Sequence, residues 1–469
     1  MDTTTFTVIP AHAWSALTMC LRGAIVRPGD YDYDTAREAL NALYDKKPFA
    51  IVYAEDAADI SRYVTFAAQH GLSVAVRGGK HSIGGHSVNN GGIVIDTSRM
   101  KDIRLDIENR TAWVQSGCVA RDVLNATEPH GFVVPFGDAG SVGVAGITTG
   151  GGIGYLTRKV GLTIDNVLAI ELVTADGQIV RASETEHPDL FWALRGGGGN
   201  VGVVTGFQYR LTELPEIYGG AYLVEATPEV LREYARLSLE APEDFSTISM
   251  LLAAPPLPFI PEDKVGTLTL MMLTAYSGPI EKGPEVFAPF RALGEPIADL
   301  IGPMPYSGLY VYLEDAEHRT RALVRSGFYE DLNDEVIEAA LDHLARGPQN
   351  LNFLQIRPIG NGAMQRVPAE ATAFSHRDAN FMLAIIAHWD GPAADEQNFP
   401  WVDSFWNAIK EYREGVYCNF LQAEGEARIR EAYSTATFER LAAIKARYDP
   451  TTRFNGNENI APRPLSAAA

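Results

Sequence analysis

The stretch RGGKHSIGGHS, from Arg77 to Ser87, concentrates residues that could bind an anion. Four glycines, two basic residues and two histidines occupy its eleven positions. Glycines leave main-chain N–H groups uncovered, so an anion can approach them, and a nearby Arg or Lys supplies positive charge. The sequence therefore predicts a phosphate-binding loop. The histidine in the middle of the loop, His81, needs a separate explanation.

Two further Gly-rich segments follow in the first half of the chain. They are GDAGSVGVAGITTGGGIGYLTRKVGLTIDN, from Gly137 to Asn166, and RGGGGNVGVVTGFQYRL, from Arg195 to Leu211. The first of them is too long to be a single turn. If all three Gly-rich segments meet at one ligand, that ligand is large, and a dinucleotide fits better than a mononucleotide.

The elements before the first loop are those that commonly precede a phosphate-binding loop. From Lys47 to Arg77 the chain shows an apolar run, a segment with helical spacing from Asp56 to His70, and the strand-like LSVAVR. This pattern predicts a β-α-β unit that ends at the loop. Further strands are predicted by IVIDTS, TAWVQSG and AIELVTADGQIVRAS, and the turn pair Asp176-Gly177 divides the last of these into two halves.

The second half of the chain changes character. From about 215 to 390 prolines and aromatics dominate, and the alternation in VGTLTLMML suits sheet strands. We interpret this part as a second, α+β domain that carries the substrate contacts. The segment ATFERLAAIKARYDP predicts an amphipathic helix that ends at Asp449-Pro450.

Composition narrows the possible partners. The 469-residue chain has a formal net charge of -20, which disfavours nucleic acid and anionic membranes as partners. Its start has no uninterrupted apolar core, and its three cysteines, Cys20, Cys118 and Cys418, are odd in number and widely spaced. We therefore expect a cytoplasmic protein, either a monomer or a homodimer, that contacts neither membranes nor nucleic acid.

Several motifs together resemble one family. In order they are RGGKHS, GLTIDN with VTADG, HPDLFWALRGGGGNVGVVT, TAFSHRD and YDPTTRFNGNENIAP. This order resembles the FAD-linked oxidases related to berberine bridge enzyme and 6-hydroxy-D-nicotine oxidase. The resemblance implies an α+β fold: a PCMH-type FAD-binding module of two subdomains, shared with vanillyl-alcohol oxidase, and a substrate domain whose antiparallel sheet is flanked by helices. It places the FAD-binding domain at 1–213, the substrate domain at 214–410, and a segment that returns to the FAD module at 411–469.

The resemblance also explains His81, because the histidine at this point of the family loop is bonded to the 8α-methyl group of FAD. Many relatives add a second bond through a cysteine in a G-x-C-x-x-V-G segment, but here Ala139 stands at that position. We therefore expect FAD with a single covalent link. A metal site formed by His81 and His86 is disfavoured, since no Cys or carboxylate stands nearby to complete a coordination shell.

The remaining cofactor contacts follow from the same resemblance. Residues expected around the pyrophosphate are Arg77, Gly78, Gly79, Lys80, Ser82, His86 and Ser87. Residues expected along the diphosphate and the ring are Gly140, Ser141, Val142, Gly146, Gly150 and Gly151. Gly202 and Val204 are expected at the adenine half, and Asn457 and Asn459 against the flavin. Between the two asparagines, Glu458 departs from the usual NQNI, and we interpret it as a residue that points to solvent.

Two residues are candidates for the catalytic step. Gln355 aligns where several relatives carry a catalytic or substrate-orienting acid, although Gln cannot act as a base at neutral pH. Tyr417 matches a family Y-x-N motif and could act as the base if a cation such as Arg357 or Arg377 lowered its pKa. A packed aromatic is an equally open interpretation of Tyr417.

The resemblance implies an oxidase that moves a hydride from a small CH–OH or CH–NH substrate to flavin and the electrons to O2, giving H2O2. The alternative is a flavin dehydrogenase or an oxidative cyclase with another acceptor. A flavin-binding protein without activity is disfavoured because His81 is kept. An aromatic substrate is hinted at by Tyr306, Tyr310, Tyr312 and Phe353, which fall in the expected substrate domain, although such aromatics are more often part of a core.

Overall fold

The computed structural model describes residues 9–348, 351–456 and 458–463. The strands are β1 Ile25–Val26, β2 Ala50–Tyr53, β3 Val74–Arg77, β4 Ile93–Asp96, β5 Ile103–Asp106, β6 Thr111–Gln115, β7 Phe132–Val133, β8 Val167–Val173, β9 Ile179–Ser183, β10 Val203–Arg210, β11 Thr212–Glu213, β12 Ile217–Glu225, β13 Phe245–Ala253, β14 Leu268–Tyr276, β15 Pro296–Asp299, β16 Gly302–Met304, β17 Arg321–Tyr329, β18 Leu351–Pro358 and β19 Phe381–Trp389. The α-helices are α1 Ala11–Met19, α2 Tyr33–Ala36, α3 Ala57–Gln69, α4 Ala120–Thr127, α5 Val144–Thr149, α6 Thr157–Val160, α7 Pro188–Ala193, α8 Pro228–Glu240, α9 Gly283–Arg291, α10 Asp334–Ala345, α11 Ala363–Arg366, α12 Asp395–Ile409, α13 Glu426–Glu431 and α14 Thr435–Tyr448.

The first sheet carries the predicted phosphate loop. The β-α-β unit is present as β2, α3 and β3, but β4 lies between the two strands and pairs in parallel with both. Strands β2 and β4 are buried almost throughout, as parallel strands covered on both faces usually are. The register sets Arg77, the last residue of β3, beside Asp96, the last residue of β4. The loop therefore begins at an edge where a buried ion pair is already formed.

The second sheet is antiparallel, in the order β5-β6-β10-β8-β9. Strands β8 and β9 form the predicted hairpin, and Gly177 takes the left-handed conformation, φ +83°, that its turn requires. The Gly137–Asn166 segment runs between β7 and β8 and contains the short helices α5 and α6. Together the first two sheets form the α+β module that the resemblance implied.

The third sheet is also antiparallel, in the order β15-β12-β14-β13-β18-β19-β17, with β16 beside β12. Helices α8, α10 and α12 cover one face and bury side chains such as Leu231, Val336 and Phe405 against it. The opposite face presents Met250, Phe353 and their neighbours to a large cavity. This sheet lies within the predicted substrate domain and forms a roof, although the predicted domain boundaries themselves stay a prediction.

In the described part of the chain, no helix combines the length and apolar character needed to cross a membrane. The same residues contain no group of three or more His, Cys, Asp or Glu that could hold a metal ion.

Candidate FAD site and substrate chamber

A cavity of about 1080 Å³ lies between the FAD module and the roof sheet. Its walls come from the Arg77–Ser87 loop, the Gly137–Asn166 segment, the Gly197–Asn200 turn, the roof strands and the C-terminal segment. Small-molecule pockets usually measure about 300–1,000 Å³, so this cavity is at the upper end of that range. It has room for a dinucleotide and a substrate together.

Donors near the phosphate-loop end of the cavity lack partners among the residues that the structure describes. Arg77 Nε donates to Asp96 Oδ2 over 2.6 Å, and both side chains are almost fully buried. Within the described residues, Nη1 and Nη2 of Arg77 have no hydrogen-bond partner, and neither has the Ser87 hydroxyl. Buried polar atoms are rarely left unpaired, so these donors point to an acceptor that the described residues do not supply. A diphosphate supplies such oxygens, and the site therefore fits FAD.

Lys80 adds to this positive end. Its φ of 63° is in the left-handed region, which a non-glycine residue adopts at a cost and which often marks a functional loop. Burial lowers the pKa of Lys80, and the charge of Arg77 lowers it further. An anion bound beside both residues would reverse that effect because it favours the charged ammonium.

The glycines of the two loops serve two different purposes. A Cβ on Gly79 would lie 2.5 Å from Gly143 N, so Gly79 is needed because the two loop backbones touch. A Cβ on Gly146 would meet nothing within 4 Å, and Gly146 lines the cavity. Gly146 therefore leaves backbone open to a ligand, whereas Gly79 holds two Gly-rich segments together.

His81 lines the cavity, and its Nε2 lies 2.8 Å from Ser141 Oγ. This contact fixes the plane of the imidazole. Ala139 is buried and has no thiol. Cys418 also lines the cavity, but its Sγ donates to Gly150 O over 3.2 Å, and burial raises the pKa of this thiol to about 12. A protonated thiol is a poor nucleophile, so the imidazole of His81 is the better candidate for a bond to flavin.

The predicted cofactor residues divide into three groups. Those that line the cavity are Arg77, Gly78, Gly79, Lys80, His81, Ser82, His86, Ser87, Val142, Gly146, Gly202 and Val204. Those that lie behind its wall are Gly140, Ser141, Gly150, Gly151 and Asn459. Asn457 lies outside the described residues.

The interpretation of Glu458 as a solvent-facing residue is wrong. Glu458 lines the cavity, its side chain is 12% exposed, and its Oε1 accepts a hydrogen bond of 2.7 Å from His86 Nε2. This hydrogen bond is possible because the C-terminal segment folds back over the loop that contains His86. The sequence carries no signal for this contact, since the two residues are 372 positions apart.

Tyr417 is buried at the cavity wall, between Phe328, Phe374 and Phe420. Its hydroxyl oxygen accepts hydrogen bonds from Gly152 N over 3.0 Å and from Asn419 Nδ2 over 2.9 Å. Burial raises the pKa of Tyr417 to about 12, although the charge of Arg357 acts in the opposite direction. The phenol is therefore protonated at neutral pH.

The two arginines considered as partners of Tyr417 have different positions. Arg377 forms a buried ion pair with Asp165 over 2.8 Å and does not line the cavity. Arg357 lines the cavity and pairs with Asp138 over 2.7 Å. Only Arg357 therefore belongs to the same site as Tyr417.

Gln355 lies on the roof strand β18 but does not line the cavity. Its Oε1 accepts from Arg357 Nε over 2.9 Å, and its Nε2 donates to Asp138 Oδ2 over 3.2 Å. Both ends of the amide are thus occupied by protein partners. The catalytic role predicted for Gln355 stays a prediction, and the geometry favours a role in holding its two charged neighbours.

Asp138 is the residue at the site that the sequence did not indicate. It lines the cavity from the Gly-rich segment, one position before Ala139. A single Asp among glycines is typical of any turn, and its significance appears only when the roof strand places Arg357 beside it. Of the four roof aromatics, Tyr312 and Phe353 line the cavity, whereas Tyr306 and Tyr310 belong to the buried core.

Comparisons with known proteins identify an FAD-binding domain in this chain. Residues 48–183 match the FAD binding domain family, and residues 416–461 match the berberine and berberine-like family. The FAD-linked oxidoreductase YvdP of Bacillus subtilis is 30% identical over 457 residues, which cover 94% of this chain and 98% of YvdP. The (R)-6-hydroxynicotine oxidase of Paenarthrobacter nicotinovorans is 28% identical, with 95% and 98% of the two chains covered.

Solved structures show the same relation. The crystal structure of 6-hydroxy-D-nicotine oxidase from Arthrobacter nicotinovorans superposes with a TM-score of 0.85 at 26% identity, covering 94% of this chain and 98% of the other. The BBE-like 1 protein of Physcomitrella patens has a TM-score of 0.86 at 22% identity, covering 97% and 100%, and shows the shared fold. The predictions of fold class, FAD and enzyme class are confirmed. The chain belongs to the FAD-linked oxidoreductases that include 6-hydroxynicotine oxidase and the berberine bridge enzyme-like proteins.

Proposed function

We propose that this protein is an FAD-dependent oxidase acting on a small, largely apolar alcohol or amine. When bound, FAD accepts a hydride from the substrate and passes the electrons to O2, which leaves as H2O2. The observation that carries the proposal is the single cavity that joins the unpaired donors of Arg77 to a chamber containing Tyr417 and Asp138. One end is suited to a diphosphate and the other to a substrate.

The chamber beneath the roof is mostly apolar. Its inner surface includes the apolar side chains of Met250, Leu252, Leu257, Met271 and Phe353 and the polar side chains of Tyr312, His318, Thr320, His388 and Asp390. The apolar part of this surface favours packing against a compact ring of the substrate. The fixed polar groups at the wall then orient the reacting carbon.

We also infer that FAD is bonded to His81 and to no cysteine. The position of His81 beside Ser141, the absence of a thiol at Ala139 and the protonated state of Cys418 support this inference. Forming the bond would remove one hydrogen from the imidazole and one from the flavin methyl group, and O2 would take up the two electrons and the two protons as H2O2. The proposed link would keep the cofactor in place through many turnovers.

Peroxide release tests the proposed function. Purified holoprotein is mixed in air with a panel of aromatic and alicyclic alcohols and amines, and H2O2 is measured together with O2 consumption. An oxidase forms one H2O2 for each O2 consumed. Substrate-dependent reduction of the flavin that is reversed by a dye but not by air would instead identify a dehydrogenase.

A further inference from the structure

The carboxylate of Asp138 is engaged on one side only. Arg357 Nη2 donates to Oδ2 over 2.7 Å, and Gln355 Nε2 donates to the same oxygen over 3.2 Å. Among residues 9–313, 318–348, 351–456 and 458–463, none donates a hydrogen bond to Oδ1. Asp138 lines the cavity, and its side chain is 14% exposed. Oδ1 is therefore the oxygen left for a ligand, and an ionised carboxylate oxygen can only accept.

Arg357 is held in this pair by two further hydrogen bonds and a ring contact. Its Nε donates to Gln355 Oε1 and its Nη1 donates to Ile153 O, each over 2.9 Å, while its guanidinium lies 5.4 Å from the centre of the Phe420 ring. A planar guanidinium bonded on three sides is held rigidly. The pair formed by Asp138 and Arg357 carries no net charge. At this point the chamber therefore offers a carboxylate acceptor whose own charge is balanced by Arg357.

Tyr417 provides a hydrogen-bond donor, whereas Asp138 provides an acceptor. Both lone pairs of its hydroxyl oxygen are occupied by Gly152 N and Asn419 Nδ2. The orientation of the Asn419 amide is fixed because the same Nδ2 also donates to Ile147 O over 3.1 Å, and a carbonyl cannot donate. A neutral tyrosine hydroxyl with both lone pairs filled can only donate. Its hydrogen is then available to a ligand in the cavity that Tyr417 lines.

The two groups are held by consecutive residues of one backbone segment. Gly152 N binds the Tyr417 hydroxyl, and Ile153 O binds Arg357, which in turn holds Asp138. We propose that Tyr417 donates to, and Asp138 Oδ1 accepts from, one neutral hydroxyl group of the substrate. This proposal deepens the proposed function and rests on it for the identity of the chamber. It makes Asp138 a substrate-binding residue that determines specificity.

The pairing separates ligand classes by their hydrogen bonds. A hydroxyl can both accept from Tyr417 and donate to Asp138. An ammonium ion has no acceptor for Tyr417, and a carboxylate has no donor for Asp138 and is repelled by it. A carbonyl, the oxidised form of an alcohol, keeps the contact with Tyr417 and loses the one with Asp138. The site should therefore bind a neutral alcohol more tightly than its oxidised product.

Binding of phenol and of its methyl ether, anisole, tests the proposal without turnover. Phenol donates and accepts, whereas anisole only accepts, and neither carries a C–H bond next to an alcohol. Dissociation constants are measured on the holoprotein from changes in flavin absorbance, and the rise in melting temperature gives a second readout. Wild type is expected to bind phenol about tenfold or more tightly than anisole, because a hydrogen bond to a charged group is lost in anisole.

Two variants assign the effect to the two residues. Asp138→Asn should weaken the binding of phenol about tenfold to a hundredfold and leave the dissociation constant of anisole within about threefold of wild type. Tyr417→Phe should weaken the binding of both ligands about equally. Matched controls are Asp390→Asn, another carboxylate at the cavity wall, and Tyr312→Phe, another phenol there. Both controls should leave the ratio of phenol to anisole binding unchanged.

The proposal is overturned if wild type binds phenol no better than anisole. It is also overturned if Asp138→Asn weakens both ligands together, because that result would give Asp138 a structural role only. The outcome is independent of the proposed oxidase activity. A protein that discriminates phenol from anisole as described but releases no peroxide would refute the oxidase and leave the binding site established.

Discussion

Replacing Arg357 with methionine should convert the chamber from one that favours neutral ligands into one that favours cations. Methionine keeps much of the volume against Phe420 but removes the charge that balances Asp138. A ligand ammonium about 4 Å from the carboxylate would gain up to roughly 4 kcal/mol at an effective dielectric constant near 20. Water in the cavity reduces this gain, so we expect the ratio of benzylammonium to phenol affinity to rise about tenfold to thirtyfold.

Stability should fall in the same variant. Removing one partner of a buried ion pair costs about 3–5 kcal/mol, and the partial exposure of Asp138 reduces the expected loss to about 1–3 kcal/mol. The free energy of unfolding is measured by urea titration. The double variant Asp138→Leu, Arg357→Met should recover part of the loss, because no charge is then left unpaired.

Arg377→Met is the matched control. Arg377 forms an ion pair with Asp165 that is as buried as the pair of Arg357, but it does not line the cavity. This variant should lose stability and keep the wild-type ratio of benzylammonium to phenol affinity. Equal ligand ratios in the Arg357 and Arg377 variants would refute the reasoning, because they would mean that the charge of Asp138 does not reach the ligand.

Three further predictions follow from the same contacts. Because burial raises the pKa of Tyr417 to about 12, the hydroxyl keeps its proton well past neutral pH. The affinity for anisole should therefore stay constant between about pH 6 and pH 10. A loss of affinity centred between those values would contradict the donor role. Gln355→Glu replaces a donor to Asp138 with a second carboxylate, so the ratio of benzylammonium to phenol affinity should rise about tenfold. An unchanged ratio would mean that position 355 does not influence the chamber. Glu458→Gln in a His81→Ala background should bind FAD about threefold or more tightly in equilibrium dialysis, since a carboxylate beside the cofactor channel opposes an anion. Weaker binding would mean that the hydrogen bond with His86 shapes the channel.

Local patterns in the sequence predicted the elements of the fold better than their arrangement. The β-α-β unit and the β8-β9 hairpin are visible because apolar spacing and turn residues are local signals. The insertion of β4 between β2 and β3 is not visible, because strand order is decided by packing between distant segments. The resemblance implied an antiparallel roof sheet flanked by helices, but the order of its strands could not be predicted, for the same reason.

The FAD end of the site was predictable because its residues stand together in one loop and resemble a family motif. The substrate end was predictable only in part. Tyr417, Gln355 and Arg357 were named from the sequence, but Asp138 was not, because Asp138 and Arg357 are 219 positions apart and meet only in the folded chain. Glu458 was interpreted by its polarity alone, whereas the return of the C-terminal segment decides its position.

The most direct test of the account is the attachment of FAD. Holoprotein is precipitated with acid, digested and analysed by mass spectrometry, with His81→Ala treated in parallel. Wild-type precipitate is expected to stay yellow and to yield one flavin-bearing peptide that contains His81, while the variant is expected to release its flavin into the supernatant. Flavin released from wild type, or found on a peptide containing Cys118 or Cys418, would contradict it.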